Sequence, residues 1–393
     1  MRSGAAGLLR RPEEPRATYL ELFFDLVFVF GLARLSQQLL EQLNWSGAFQ
    51  LLVLLLALWA VWANTARLTD RLSPRRTPIQ LLVIATMFAT LLMAAAVPEA
   101  FGEQGLIFAG IYVTTQIGRN AGAALLLRGH EGQRAFLRQL FWFGVSAVPW
   151  IAGAVTHDTA RAVLWALAVT VEYVSVSLGL PTPRLGRASP RRAEFGIYGE
   201  HAAERFRLLF LIALGELILI SGLTFSRGRF EPERVAAVAI AFATTVLLWR
   251  IYIHRAGGLL AEVIDADPDP HRAVIPAIYA HLFMVAGIVA IAVGDELVID
   301  HPFGHTKPAW IIVILGGPAL FLVGRGMFEY EVFGRVSRSR PIGVLVLAAL
   351  WPAASILPPL LVAVAPALVL AAIAASDAAR ARGRPPEPPS PHG

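Results

Sequence analysis

Cysteine is absent from the 393 residues and lysine occurs once, as Lys307. Without cysteine there is no disulfide framework, no thiolate nucleophile and no thiolate metal site. With its single lysine in a loop expected outside the membrane, the chain cannot hold a retinal-type Schiff base within a helix bundle. Charge is also scarce, at 16% of residues against 56% hydrophobic. A mean hydropathy of +0.60 takes the chain far outside the range of soluble proteins of this length and marks it as a polytopic membrane protein. There is no P-loop and no G-x-S-x-G elbow. Beside His201 and Glu204 no second H-x-x-E or E-x-x-H falls in a span, so neither a metal nor a cofactor is expected. The net charge of +6 would suit nucleic acid only if the basic residues gathered on one wet face. They are instead spread over loops, and no nucleic-acid partner is expected.

What is present is a succession of apolar runs. The hydropathy pattern predicts an all-α integral membrane protein of twelve spans, near 20–41, 47–66, 78–98, 105–127, 136–156, 161–180, 203–225, 234–254, 273–294, 308–327, 341–358 and 359–376. Prolines 352, 358, 359 and 366 make a broken or re-entrant hairpin the alternative for the last pair. The first run is too long for a signal-peptide core, opens on acids and lacks a cleavage site, so it is retained as a span. The expected organisation is a cytoplasmic segment 1–18, a six-helix half 19–180, a cytoplasmic linker 181–202, a second half 203–376 and a disordered Pro/Arg tail 377–393. Arginines recur in alternate loops, among them Arg10, Arg67, Arg128, Arg134, Arg184, Arg272, Arg325, Arg340 and Arg380, which predicts both termini on the cytoplasmic side. Leu58, Trp59 and Trp62 align with Leu248, Trp249 and Tyr252, a faint sign of two parallel six-helix repeats.

Polar residues stand where lipid should be. In Y-L-E-L-F-F-D-L-V-F-V-F, residues 19–30, Glu21 and Asp25 lie four apart and share one helix face, with Glu21 expected within reach of headgroup water and Asp25 one turn deeper. Gln116, Arg119 and Asn120 share a face of the fourth predicted span. Glu172 falls mid-span, Glu216 about 18 Å along the seventh span from its start and His281 roughly 12 Å into the ninth, at ~1.5 Å per residue. Five acids (Glu21, Asp25, Glu172, Glu204 and Glu216) balance five arginines (Arg34, Arg119, Arg205, Arg207 and Arg250), so pairing is expected, with Arg119 the candidate partner of Glu216. Such a network either fixes helix register or lines a path for an ion, a proton or a polar solute.

The motifs E-L-F-F-D-L-V-F-V-F (21–30), W-x-x-W (59–62) with Arg67 and Asp70, H-A-A-E-R-F (201–206) running into I-A-L-G-E (212–216), and Y-A-H-L-F-M-V-A-G-I (279–288) resemble one family, the bacterial low-temperature-requirement A family. The resemblance implies a multi-pass bacterial membrane protein linked to growth in the cold. It also implies that Glu21, Phe24, Asp25, Trp59, Arg67, Asp70, Glu204, Arg205, Gly215, Glu216 and His281 are its marked positions. The core F-F-D-L-V-F, residues 23–28, is similar to the signature of the lysosomal potassium-channel family as well, which tilts the reading towards ion permeation.

The expectation is therefore an inner-membrane transporter or channel whose polar pathway comprises Glu21, Asp25, Arg119, Asn120, Glu172, Glu204, Arg205, Glu216 and His281. Its partners are the lipid bilayer and a small solute or ion, and it admits an oligomer. The alternatives are a membrane enzyme acting on a lipid or polyprenyl substrate, with Glu216 and His281 as acid and base and Asp265, Asp267 and Asp269 in a loop near the phosphate, or a structural membrane protein whose charges only specify packing.

Overall fold

A computed structural model describes residues 7–10, 16–187, 199–254, 256–266 and 270–382. Among them the regular secondary structure is helical, with only isolated bridges at Leu9–Leu72 and Thr182–Gly186. The helices are α1 (Tyr19–Glu41), α2 (Trp45–Arg71), α3 (Thr77–Ala96), α4 (Gly105–Leu126), α5 (Gln133–Ala154), α6 (Asp158–Ser177), α7 (Gly199–Ser226), α8 (Pro232–Ile253), α9 (Ala256–Ala266), α10 (Pro270–Asp300), α11 (Pro308–Phe333), α12 (Ser339–Ala349), the short α13 (Trp351–Ala354) and α14 (Pro359–Ala381). The chain forms two compact units. The first runs up to His201 without Leu39–Asn44, which group with the second, from Ala202 onward.

Among the described residues nine helices are long and apolar enough to cross a membrane: α2, α3 with the 3-10 turn Val97–Glu99, α5, α6, α7, α8, α10 from Val274, α11 and α14. Helices α1 and α4, of 23 and 22 residues, fill two more of the predicted runs. The run 341–358 is not one helix. The 11-residue α12 would reach about 17 Å at ~1.5 Å per residue, roughly half of a ~30 Å hydrocarbon core. It gives way to α13 at Trp351–Pro352, because proline lacks the donor for a helical bond and its ring crowds the preceding turn. Two other expectations are corrected. Residues 256–266, read as loop, form α9, so Asp265 is helical, while Asp267 and Asp269 lie outside the described residues. Helix α14 continues to Ala381, five residues beyond the expected end of its span, and the rest of the tail, 383–393, lies outside the described residues.

Proline sets several starts. It occupies the first turn of α3, α8, α11 and α14, where the missing N–H has no intrahelical acceptor to lose. Helix α11 stops at Gly334, whose φ of 65° is the left-handed cap conformation that glycine adopts freely. In the second unit α10 and α11 pack backbone to backbone. A Cβ at Gly287 would lie 2.7 Å from the Phe321 nitrogen and one at Gly324 2.7 Å from the Ala280 carbonyl oxygen, so glycine is what permits the approach.

Candidate functional site

In the first unit α2 organises the polar interior, contributing to three clusters along its C-terminal half. At its end is Asp70. Its Oδ1 lies 3.0 Å from His201 Nδ1, and the other ring nitrogen, Nε2, lies 2.7 Å from Glu21 Oε1. A neutral imidazole has one N–H, so both contacts are satisfied together only with protons on both ring nitrogens or on one carboxyl. Glu21 is itself the start signal of α1. Thr18-x-x-Glu21 matches the S/T-x-x-E capping pattern, and Glu21 Oε2 accepts from the Thr18 backbone N–H (2.7 Å) and hydroxyl (2.9 Å). The same oxygen lies 3.4 Å from Arg10 Nη2, and Arg10 Nη1 donates to the Thr69 carbonyl at 2.9 Å. Glu21 is 1% exposed and does not reach headgroup water as expected, and Arg10, read as a loop charge, is 4% exposed.

About one turn further along α1, and two turns back along α2, Trp62 Nε1 donates to Asp25 Oδ1 at 2.9 Å. Phe28, Trp59 and Trp62 form an aromatic cluster around it, with the two indoles 4.9 Å apart and the Trp59 N–H buried without a hydrogen-bond partner among the described residues. Phe24 is buried as well. Between the two levels Arg67 donates to Asn64 Oδ1 at 2.6 Å.

The third cluster crosses from α2 to α4, α5 and α6. Arg119 Nη1 donates to Thr65 Oγ1 (3.0 Å) and the Val61 carbonyl (3.3 Å), and Nη2 to Gln116 Oε1. Gln116 Nε2 donates to the Tyr112 oxygen at 3.2 Å, and Tyr112 donates to Glu172 Oε2. Glu172 Oε1 accepts from Ser146 (2.7 Å) and Trp150 Nε1 (2.9 Å). Every donor in the line Arg119, Gln116, Tyr112, Glu172 points the same way, so a buried cation and a buried carboxylate polarise one chain of neutral groups without touching. Asn120 donates to the Gln116 carbonyl one turn back and stands beside this line.

The second unit is arranged differently. His281 Nδ1 is 2.7 Å from the Ala277 carbonyl, so that nitrogen carries the proton, and Nε2 accepts from Tyr252 at 3.0 Å. Phe206 stacks on the ring at 4.4 Å. Glu216 is 5% exposed and makes no hydrogen bond or ion pair among the described residues. In the same unit His281 has both nitrogens occupied by groups other than Glu216. For Glu172 and Arg119 neutral side chains and backbone carbonyls take the place of the anticipated opposite charge, whereas Glu216 has no partner among the described residues. On α7 Arg205 is buried and Glu204 half-buried, and a Cβ at Gly215 would meet open space.

Three charged groups escaped the sequence reading. Asp295 on α10 buries an Oδ2 with no hydrogen-bond partner among the described residues. Glu329 and Asp377 bracket Arg340 at 2.7 Å each, while Arg325 lies 3.4 Å from Glu329 and donates to the Ile251 and His254 carbonyls at 3.0 and 2.8 Å. Arg325 and Arg340, expected among the loop charges, are 0% and 2% exposed and join α11, α12 and α14. The T-x-x-E pattern and the i, i+4, i+7 stripe of Tyr112, Gln116 and Arg119 were available signals; the cross-helix partners of Glu172 were not.

An all-helical chain with many membrane-length helices and polar clusters sealed among them is a multi-pass membrane protein. The family model described as bacterial low temperature requirement A protein (LtrA) matches residues 16–375, and the chain belongs to that family. An uncharacterized protein of Rhizobium meliloti (strain 1021) is 37% identical over 343 residues, 86% of this chain and 83% of that one. No solved structure matches the chain significantly.

Proposed function

We propose that this LtrA protein is a transporter or channel of the bacterial inner membrane that moves a proton, a cation or another small polar solute past its buried carboxylates. The observation that carries the reading is Glu216: a carboxylate 5% exposed, partway along an apolar helix, with no partner among the described residues. A buried charge kept only for packing is held by a counter-charge or by donors, as Glu329 is by Arg340. An unpartnered one costs at least ~2.5 kcal/mol at a bilayer centre and is economical only if something transient neutralises it. In this proposal α1 and α4 span alongside the nine apolar helices, the broken α12–α13 segment completes the second of two six-helix halves, and the arginine-bearing loops and both termini face the cytoplasm. Growth at low temperature would then depend on flux through the protein. Solute flux into proteoliposomes carrying the wild type or Glu216→Gln tests it, and equal flux from the two would remove Glu216 from the pathway.

A further inference from the structure

Helices α5 and α6 enclose an open groove of about 830 Å³ on the first unit, within the roughly 300–1,000 Å³ of small-ligand sites. Its walls are apolar throughout: Leu137, Phe141, Val145 and Val148 from α5, Leu167 and Val171 from α6. Gly144 deepens it, since a Cβ there would meet nothing within 4 Å. From Leu137 to Val148 the wall is about 17 Å long at ~1.5 Å per residue, close to the ~15 Å of one leaflet's hydrocarbon.

One end of the groove is basic. Arg134 lies one turn before Leu137 on the same stripe of α5, exposed and with no side-chain partner among the described residues. The turn after α6 is tied to this end, for Trp142 Nε1 donates to the Pro181 carbonyl and Arg138 Nη2 to the Leu185 carbonyl, each at 3.0 Å. Within that turn the Thr182 and Gly186 backbones bond each other at 3.1 and 2.9 Å, holding Arg184 at a φ of 65°, a conformation an arginine seldom adopts. Among the described residues Arg184 and Arg187 are both exposed without partners, and the acid nearest Arg134 in sequence is Glu131, three residues before it.

We propose that the α5–α6 groove is a binding site for an anionic phospholipid, with one acyl chain lying along the apolar wall and the phosphate against Arg134 and Arg184. An apolar trough alone would accept any lipid; the basic corner at its end is what selects charge. The site is independent of the transport reading.

Native mass spectrometry of the full-length protein, titrated with phosphatidylglycerol and with phosphatidylcholine of the same acyl chains, tests it. The wild type should retain phosphatidylglycerol at least tenfold more tightly. Arg134→Ala with Arg184→Ala should erase that preference, about fivefold per arginine, and leave phosphatidylcholine unaffected. Gly144→Leu, which grows into open space, should weaken both lipids. Equal affinity of the wild type for the two lipids, a preference that survives the double substitution, or uptake of both lipids unchanged in Gly144→Leu would overturn the proposal. A dimer dispersed by Gly144→Leu without change in lipid binding would also overturn it, by assigning the groove to a second copy.

Discussion

Replacing Glu172 separates two properties of the buried line that begins at Arg119. In Glu172→Ala the Tyr112 hydroxyl and the Trp150 indole N–H lose their acceptor inside the first unit, while the Ser146 hydroxyl keeps the Phe143 carbonyl at 3.3 Å. Each stranded buried donor costs about 1–3 kcal/mol, so the substitution should destabilise by about 2–6 kcal/mol before any cavity is counted. Glu172→Gln differs in kind. Ser146 and Trp150 both donate to Oε1, which a glutamine retains, and its amide can donate in turn to the Tyr112 oxygen, at the expense of the tyrosine's own proton. That leaves one unsatisfied hydroxyl and two bonds weakened by loss of charge, about 1–3 kcal/mol in all. Thermal unfolding of detergent-purified protein, followed by tryptophan fluorescence, should rank wild type above glutamine and glutamine well above alanine. An alanine variant that melts with the wild type, or a glutamine variant as weak as alanine, would refute the hydrogen-bond assignment.

Glu21→Ala should release the segment that Arg10 anchors, so the backbone amides of Arg10 and Ser73, bonded to the Arg71 and Leu8 carbonyls, should exchange hydrogen faster, as mass spectrometry of exchanged peptides can read. Gly287→Ala should cost about 1–3 kcal/mol by forcing α10 from α11, whereas Gly215→Ala, in open space, should leave the melting temperature unchanged. Arg340→Met should leave Glu329 to Arg325 and Asp377 to Arg380, destabilising by less than the ~3–5 kcal/mol of a fully uncompensated buried charge, and adding Glu329→Gln and Asp377→Asn should restore part of the loss in the same unfolding assay.

Helices were legible because a ~30 Å apolar slab demands runs near 20 residues, and such runs recur through the chain. The shared face of Gln116, Arg119 and Asn120 was equally legible, since helical periodicity alone sets it. What each polar group bonds was not. Glu21 looks like a headgroup acid in sequence because its partners Arg10 and His201 lie 11 and 180 residues away. Charge counting suggested acids against arginines, but Glu172 is satisfied by Tyr112, Ser146 and Trp150, residues a tally of charges ignores. Arg325 and Arg340 were misread for a related reason: a loop arginine and a helix-end arginine facing Glu329 and Asp377 look alike until the fold brings α14 alongside.

The most direct measurement of function is flux through the purified protein in proteoliposomes, screened against protons, monovalent cations and small organic solutes. Transport past Glu216 predicts a solute-specific flux in the wild type that Glu216→Gln abolishes, while folded yield and melting temperature stay close to the wild type, because the amide keeps the volume and no partner is stranded. Absence of flux for every solute in the wild type, or undiminished flux in Glu216→Gln, would contradict it.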